Sequence, residues 1–169
     1  MTIKSVEKIT ILTTGGTIDK VYSVAGELEI GDPSVPQLLT AVLTDVEFEL
    51  IPVLAVDSLD MTDTDRAQLV DALEGVATDH VIITHGTDTM PETARYLLEH
   101  ARLEGKIVVL TGAMQPASMR VSDAGFNLGA AVAALNLLDA GVYVSMSGKI
   151  FKGATVVKDR SRGIFGVRP

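Results

Sequence analysis

The sequence predicts an α/β fold in which a mostly parallel sheet is flanked by helices, and three observations support this. Strand-like and helix-like segments alternate along the chain, as in repeated βα units. The strand-like segments are near-continuous runs of β-branched residues, as strands buried on both faces require. The 169 residues are 47% apolar, which suffices for one domain with a substantial core. We therefore expect residues 1–169 to form a single domain.

Five segments are predicted as strands because short apolar runs end in turn residues. They are Lys8–Thr14, Val46–Val53, His80–Thr84, Lys106–Thr111 and Val142–Ser147. Beyond them, residues 145–163 contain Gly148 and Gly153 as turn points between short β-like runs. This last part predicts a hairpin or an extended edge without a crossover helix.

Helical patterns lie between the predicted strands. They cover Pro36–Leu43, Thr62–Val76, Pro91–Leu103 and Asp123–Leu138. Thr62 and Thr89 are suited to cap the second and third helices. In the second helix the residues that fall on one face are Leu69, Val70 and Leu73. In the fourth helix the residues on one stripe are Phe126, Ala130, Ala133 and Leu137.

Composition narrows the class of protein. With 14 basic and 22 acidic residues the net charge is −8, so we expect no nucleic-acid partner and no binding to anionic membranes. The basic stretch Lys158–Arg168 is short and reads as a surface tail. Cysteine is absent, which excludes disulfides and thiol chemistry. The N-terminal residues lack the apolar segment of a signal peptide, and we expect a cytoplasmic protein.

Small, hydroxyl-bearing and acidic residues follow the predicted strands, where ligands bind in open α/β sheets. The four loops are Thr14–Thr17, Asp57–Met61, His85–Thr89 and Gly112–Gln115. Because the carboxyl ends of parallel strands share one rim, these residues are candidates for a common site. Lys, Glu, Asn and Pro would be more common in loops that serve only as connections.

Gly15 and Gly16 end the first strand just before Thr17. They allow a sharp turn and a close approach of backbone N–H groups to a ligand, although a plain strand-to-loop turn explains one such pair equally well. A threonine hydroxyl is a weak nucleophile that needs a neighbouring base. The sequence contains no nucleotide-binding glycine motif and no G-x-S-x-G motif, so it favours neither a nucleotide site nor an α/β-hydrolase triad.

The remaining rim candidates are a histidine and an adjacent threonine–aspartate pair. We interpret His80 and His100 as structural or solvated residues. We expect His85 to shape its loop and not to react or bind a metal. Thr87 and Asp88 stand at the start of a helix, where they could be caps. They could also hold a polar ligand, with the carboxylate receiving an ammonium group. Because Thr17 is expected on the same rim, we favour ligand binding over capping for these two residues.

Four motifs now resemble the L-asparaginase/glutaminase family of bacterial type. They are "TTGGTI" (13–18), "DSLDM" (57–61), "ITHGTDTMPETA" (83–94), and "LTGAMQP" (110–116) with "SDAGFNL" (122–128). Their order along residues 9–158 makes the resemblance specific. It implies an asparaginase-like N-terminal domain, with the second domain of the family absent from this chain.

The resemblance implies a role for each site residue. Thr17 would be the nucleophile, and Thr87, Asp88 and Lys158 a Thr–Lys–Asp group. Tyr22 resembles a loop tyrosine that helps to activate the nucleophile. The residues expected to bind substrate are Gly16, Asp57, Ser58, Gly86 and Ala113, with Ser58 on the substrate carboxylate. Asp88 and Asp60 are candidates to replace a glutamate that the family's second domain supplies to the substrate ammonium.

The activity implied is hydrolysis of L-asparagine to ammonia and L-aspartate through a β-aspartyl enzyme, without a metal or organic cofactor. Leu59 stands where the family often has glutamine, so we expect asparagine to be preferred over glutamine. Family members are tetramers, and we expect a homodimer or homotetramer here. A non-catalytic amino-acid sensor, an inactive fragment of a longer enzyme and an amidase for another amide remain alternatives.

Overall fold

A six-stranded sheet forms the centre of the computed structural model, which describes residues 3–168. Within this range the strands are β1 (Lys8–Gly15), β2 (Lys20–Tyr22), β3 (Leu28–Ile30), β4 (Glu47–Val56), β5 (His80–Thr84), β6 (Ile107–Thr111), β7 (Gly141–Met146), β8 (Lys149–Lys152), β9 (Val156–Asp159) and β10 (Ile164–Val167). The helices are α1 (Val35–Leu39), α2 (Asp63–Gly75), α3 (Met90–His100) and α4 (Ala124–Leu135).

The central sheet has the order β4-β1-β5-β6-β7-β8. Its first five strands run parallel, and β8 pairs antiparallel with β7 at the edge. This confirms the predicted fold class and all five predicted strands. β4 continues to Val56, beyond the predicted end at Val53, because its pairing with β1 resumes at Gly15 after a register shift that follows Thr13.

Both faces of the sheet are covered, which explains the continuous apolar runs. Leu12 of β1 packs with α2 and α3 on one face, whereas its neighbour Ile11 packs with Val35 and Leu128 on the other. Both β1 side chains are fully buried. Each such burial contributes about 1.5–3 kcal/mol of apolar transfer free energy. The two cores therefore fix the positions at which the strands end and the rim loops begin.

The second predicted helix is confirmed in its cap and its buried face. Thr62 accepts from the Asp65 N–H while the Asp65 side chain accepts from the Thr62 N–H, which forms a capping box. The predicted face of Leu69, Val70 and Leu73 is buried. α1 is shorter than expected and ends at Leu39.

Of two predictions about the other helices, one holds in part and one is wrong. Thr89 occupies the N-cap position of α3 as predicted, but its side chain makes no capping hydrogen bond; its hydroxyl donates to the carbonyl of Ser58 at 2.7 Å. The stripe predicted for α4 is not its buried face, since Phe126 is 64% and Leu137 45% exposed. The buried residues of α4 are Ala124, Asn127, Leu128, Ala131, Ala134 and Leu135. Because α4 is rich in small apolar residues on every side, periodicity alone could not choose the face.

Three antiparallel pairings extend from the sheet. β2 and β3 form a small hairpin directly after Thr17 that the sequence did not predict. The predicted C-terminal hairpin or edge is confirmed as β8 on β7 and as the separate β9–β10 pair. Arg95 of α3 donates to the carbonyl of Val156 at 3.0 Å, which ties the β9–β10 hairpin to the main body.

Candidate active site

The turn after β1 places Thr17 at the rim of the sheet. Gly15 and Gly16 have φ angles of 92° and 81°, a region that residues with a Cβ rarely adopt. A Cβ on Gly15 would lie 2.7 Å from the backbone nitrogen of Val56, and one on Gly16 would collide with the backbone of Gly86. Both glycines are therefore required by close backbone approach as well as by the turn.

The loop after β5 is equally crowded. A Cβ on Gly86 would lie 2.6 Å from the hydroxyl oxygen of Ser58, and Ser58 is almost fully buried. Gly86 thus touches Gly16 on one side and Ser58 on the other. Since Thr17 and Thr87 each follow one of these glycines, the structure brings the loops after β1, β4 and β5 together at one place.

Lys158 connects the C-terminal hairpin to this rim. Its Nζ donates to Thr87 Oγ1 at 2.8 Å and to Asp88 Oδ1 at 2.7 Å. The lysine side chain is only 5% exposed, whereas that of Asp88 is 34% exposed. Because Nζ supplies the proton in the bond to Thr87, the hydroxyl hydrogen of Thr87 is free to point elsewhere. The group predicted from positions 87, 88 and 158 is therefore assembled.

The hairpin shields the Lys158 ammonium group. Lys158 pairs with Phe165 across β9 and β10, and its Nζ lies 5.9 Å from the Phe165 ring centroid, within the range of a cation–π contact. Arg160 also donates to the carbonyl of Asp88 at 3.3 Å. The basic stretch that we predicted as a surface tail thus includes two residues that contact the site.

A buried network of hydrogen bonds holds the loop that carries Thr87. His85 Nδ1 lies 2.7 Å from the carbonyl oxygen of Gly86, and since a carbonyl only accepts, this nitrogen bears the proton. Nε2 then accepts from Thr93 Oγ1 at 2.8 Å, and Arg66 Nε donates to the same hydroxyl at 3.0 Å. Burial lowers the pKa of His85 to about 4, which keeps the imidazole neutral near pH 7. These contacts agree with the prediction that His85 shapes its loop.

The loop after β4 presents a different arrangement. Asp57 Oδ2 forms an ion pair with Lys20 Nζ at 2.8 Å, and Oδ1 accepts from the Leu59 N–H at 3.1 Å. The hydrogen bond from Lys20 holds the pKa of the Asp57 carboxyl below its usual range. The Asp57 carboxylate is therefore engaged within the protein, while Asp60 is exposed at the same rim.

Two predicted site residues, Tyr22 and Ala113, lie in positions that fit their expected roles less well. Tyr22 lies on β2 and is 69% exposed, so its proposed loop role would require a movement of the β2–β3 hairpin. Ala113 is fully buried and its side chain packs with Ile18 and Ala124. Since the whole residue is buried, its predicted contact with substrate would require its neighbours to move.

Sequence reasoning missed Lys20 and Arg66. Lys20 immediately follows the turn of Thr17 in "TIDK", where a lysine beside a motif was a visible signal. Arg66 falls at helical spacing on the apolar stripe of Leu69, Val70 and Leu73. A charged residue on a buried stripe indicates a specific partner, which here is Thr93.

In residues 3–168, no three acidic, cysteine or histidine side chains are grouped in a way that could bind a metal ion. None of the helices in that same range combines the length and the apolar character that a membrane span needs.

Comparison with known proteins places this geometry in context. Residues 8–167 match the family model described as Asparaginase, N-terminal. Over 168 aligned residues the chain is 36% identical to a protein from Haemophilus influenzae named "Probable L-asparaginase periplasmic", with 92% of this chain and 47% of that protein covered. The chain thus spans about half the length of the curated relatives it matches.

Solved structures give the same result. The thermostable L-asparaginase from Thermococcus kodakarensis superposes with a TM-score of 0.85 at 31% identity, over 95% of this chain and 51% of that one. A probable cytoplasmic L-asparaginase from Campylobacter jejuni has a TM-score of 0.79 at 34% identity, over 90% and 49%. The names of these relatives include both periplasmic and cytoplasmic proteins, so the compartment of this chain stays a prediction.

Proposed function

The chain belongs to the asparaginase family, and on that premise we propose that it is an L-asparagine amidohydrolase that releases ammonia and L-aspartate. One observation carries the proposal. Lys158 donates to both Thr87 and Asp88, and the loop of Thr87 lies against the turn that bears Thr17. A hydroxyl nucleophile and a candidate proton relay therefore stand at one rim, as amide hydrolysis requires.

In the first half-reaction, the Thr17 hydroxyl oxygen attacks the side-chain amide carbon of asparagine. The C–N bond breaks, and the nitrogen leaves as ammonia with the proton that Thr17 gives up. Thr17 lies at the start of a short 3₁₀ turn and is not fully buried, as a residue that reacts with a small substrate must be. The product of this step is a β-aspartyl ester on Thr17.

In the second half-reaction, water attacks the ester carbon, the bond to the Thr17 oxygen breaks to give L-aspartate, and one proton of the water returns to the Thr17 oxygen. Thr87 is suited to orient this water, because its hydroxyl accepts from Lys158 and keeps its own hydrogen for donation. Lys158 acts as a base only after its own proton is lost or relayed. Both steps pass through an oxyanion, for which backbone N–H groups beside Thr17 and Thr87 are the donors that we propose.

Substrate binding in this proposal uses complementary charge. The Asp88 carboxylate, one-third exposed, receives the substrate ammonium, with Asp60 as a further acidic group at the rim. We propose that the substrate carboxylate and amide bind to the hydroxyl of Ser58 and to the backbones of Gly16, Gly86 and Ala113, all of which are buried in the structure without substrate. Leu59 is 60% exposed and offers no polar side-chain group, which supports a preference for asparagine over the longer glutamine.

We propose further that the chain associates as a homodimer or homotetramer and that this one domain suffices for turnover. Apolar side chains near the rim support association, since Leu59 is 60%, Val121 81% and Met114 38% exposed. Exposed apolar groups of this kind favour protein contacts when they lie together. Light scattering at micromolar concentration tests this, and a monomer would contradict it.

The direct test is ammonia release by the purified 169-residue chain, with L-asparagine and L-glutamine in parallel at millimolar concentration. Release from asparagine supports the proposal, and release from asparagine alone also supports the argument from Leu59. A folded protein that releases ammonia from neither substrate but binds L-aspartate would instead be an amino-acid sensor. Activity on other amides alone would indicate a different amidase.

A further inference from the structure

A half-buried ion pair joins the turn that carries Thr17 to the loop that carries Ser58. Lys20 Nζ lies 2.8 Å from Asp57 Oδ2, and the two side chains are 24% and 30% exposed. Lys20 follows Thr17 by three positions, and Asp57 immediately precedes Ser58. The pair therefore bridges the two rim segments that would supply the nucleophile and the carboxylate-binding hydroxyl.

At one end, the backbone of Lys20 connects the ion pair to the 3₁₀ turn that begins at Thr17. The Lys20 N–H donates to the carbonyl of Thr17 and closes the 3₁₀ turn. The Lys20 carbonyl accepts from Ser118 Oγ at 2.7 Å. Because hydrogen bonds hold this backbone on both sides, the direction of the Lys20 side chain is coupled to the orientation of Thr17.

At the other end, the pair is fixed to the loop of Ser58. One oxygen of the Asp57 carboxylate accepts from the Leu59 N–H at 3.1 Å while the other receives Lys20. The Asp57 carbonyl also accepts from the Asp60 N–H at 3.0 Å. The loop thus folds around Asp57, and the next residue, Ser58, is held in addition by Thr89, whose hydroxyl donates to the Ser58 carbonyl at 2.7 Å.

The sheet holds these two segments in register only as far as Gly16 and Val56. The pairing of β1 and β4 is interrupted after Thr13 and ends at Gly15 with Val56. One further backbone bond, from Gly16 N to Val56 O at 2.9 Å, lies before the loops diverge. Beyond that point the Lys20–Asp57 contact is a directional link between the two segments.

We propose that Lys20 and Asp57 are positioning residues that set the separation between Thr17 and Ser58, and with it the fit of an amino-acid substrate. This inference rests on the proposed function, because it assigns the two segments to reaction and binding. A partly exposed ion pair adds little to folding stability. A misplacement of reacting groups by about 1 Å, in contrast, can cost about 100-fold in rate. The pair should therefore affect kinetics far more than stability.

The experiment compares Lys20→Met, Asp57→Asn and the double variant with the wild-type chain. Asparagine at position 57 retains an oxygen for the Leu59 N–H but turns an amide NH2 toward Lys20, so that both the negative charge and the acceptor for Lys20 are removed. We expect each single variant to lower kcat/KM for L-asparagine by about 100-fold, with a lower kcat, a higher KM and a small change in Tm. The double variant should lose no more than either single variant, since both remove one contact. Lys20→Arg should recover most of the activity.

The matched control is a second ion pair that lies away from the rim loops. Arg102 and Glu74 are 2.9 Å apart near the C-terminal ends of α2 and α3, and Arg102→Met should leave kcat/KM within twofold of wild type. Wild-type kinetics in Lys20→Met, additive losses in the double variant, or a lower Tm with unchanged kcat and KM would each overturn the inference.

Affinity for L-aspartate, measured by calorimetry on every variant, separates this inference from the proposed function. A wild-type chain that binds L-aspartate without turning over asparagine disproves the hydrolase, and weaker binding by Lys20→Met would still support positioning by the pair. Equal affinity in the two proteins would overturn it. A wild-type chain that neither binds nor turns over would overturn both proposals.

Discussion

Lys158 Nζ lies 2.8 Å from Thr87 Oγ1, although 71 positions separate the two residues along the chain. This contact is formed across two elements, because Lys158 stands on the β9–β10 hairpin and Thr87 follows β5. It joins the C-terminal hairpin to the parallel sheet at the point where Gly86 meets Gly16. The predictions below follow from this geometry.

Thr17→Ala should fold and lose turnover. Its hydroxyl is the proposed nucleophile, and removal of a nucleophile costs about 1,000-fold or more in kcat. The side chain is only half-buried, so the fold should tolerate the change. Ammonia release and circular dichroism measure the two effects. Thr17→Ser, which retains a hydroxyl, is the matched control, and unchanged turnover in Thr17→Ala would exclude the mechanism.

Lys158→Met should lower kcat by about 100- to 10,000-fold, as expected for loss of a proton-transfer group. Lys152→Met is the control, since Lys152 is an exposed lysine on the neighbouring β8. Steady-state kinetics of both variants test the prediction. Equal rates in the two variants would show that Lys158 only holds the hairpin in place.

Gly86→Ala should be strongly destabilising or inactive, because its Cβ would lie 2.6 Å from the Ser58 hydroxyl. Overpacking of this kind costs about 1–3 kcal/mol. Gly129→Ala is the control, because a Cβ there meets no atom within 4 Å and alanine in a helix is favoured by about 1 kcal/mol. Denaturant unfolding should therefore give shifts of opposite sign, and a stable, active Gly86→Ala variant would contradict the close packing of the loops.

His85 should make folding stability depend on pH. Burial lowers its pKa to about 4 in the folded chain from 6.5 in a solvated histidine. Between these values the unfolded state binds more protons, so this contribution is complete above pH 6.5 and is lost as the pH falls toward 4. The shift corresponds to about 3 kcal/mol.

His85→Asn removes the titrating group and can still donate to the Gly86 carbonyl. Denaturant unfolding at several pH values should therefore show a shallower loss of stability below pH 6.5 in this variant than in the wild type. Identical slopes for the two proteins would indicate that His85 is not the group responsible.

Leu59→Gln should raise the rate on glutamine relative to asparagine. The substitution restores a polar side chain beside Ser58, and one additional hydrogen bond contributes about 1 kcal/mol, or about fivefold in specificity. Leu59 is exposed, so the fold should be unaffected. The ratio of kcat/KM for the two amides is the measurement, with Leu59→Met as an apolar control. A wild-type chain that uses both amides equally would contradict the premise.

Local sequence patterns were sufficient to predict the fold class and which loops lie at the rim of the sheet. The five strands are continuous β-branched runs, and a parallel sheet must bury such runs on both faces. The cap at Thr62 could be predicted because a capping box is formed by residues three positions apart. The position of Thr17 at the rim likewise followed from a glycine pair at the end of a strand.

Other features depended on contacts that no local pattern encodes. Thr89 stands at the N-cap of α3 without a capping hydrogen bond, and its hydroxyl instead donates to the carbonyl of Ser58, which is 31 positions away in the chain. The buried face of α4 depended on which side met Ile11 and Ile82, since small apolar residues surround this helix. The β2–β3 hairpin combines three-residue strands that are too short for a periodic signal.

The sequence by itself determined an α/β sheet, the set of loops at its carboxyl edge and the candidate residues within them. Only the tertiary structure decided which of these residues meet. It joined Lys158 to Thr87 and Asp88, paired Lys20 with Asp57, left Tyr22 exposed and enclosed His85 with Arg66 and Thr93. The physical reason is that charge pairing and hydrogen bonding between loops depend on distances set by the whole packed sheet, whereas strands and caps are set by near neighbours in the chain.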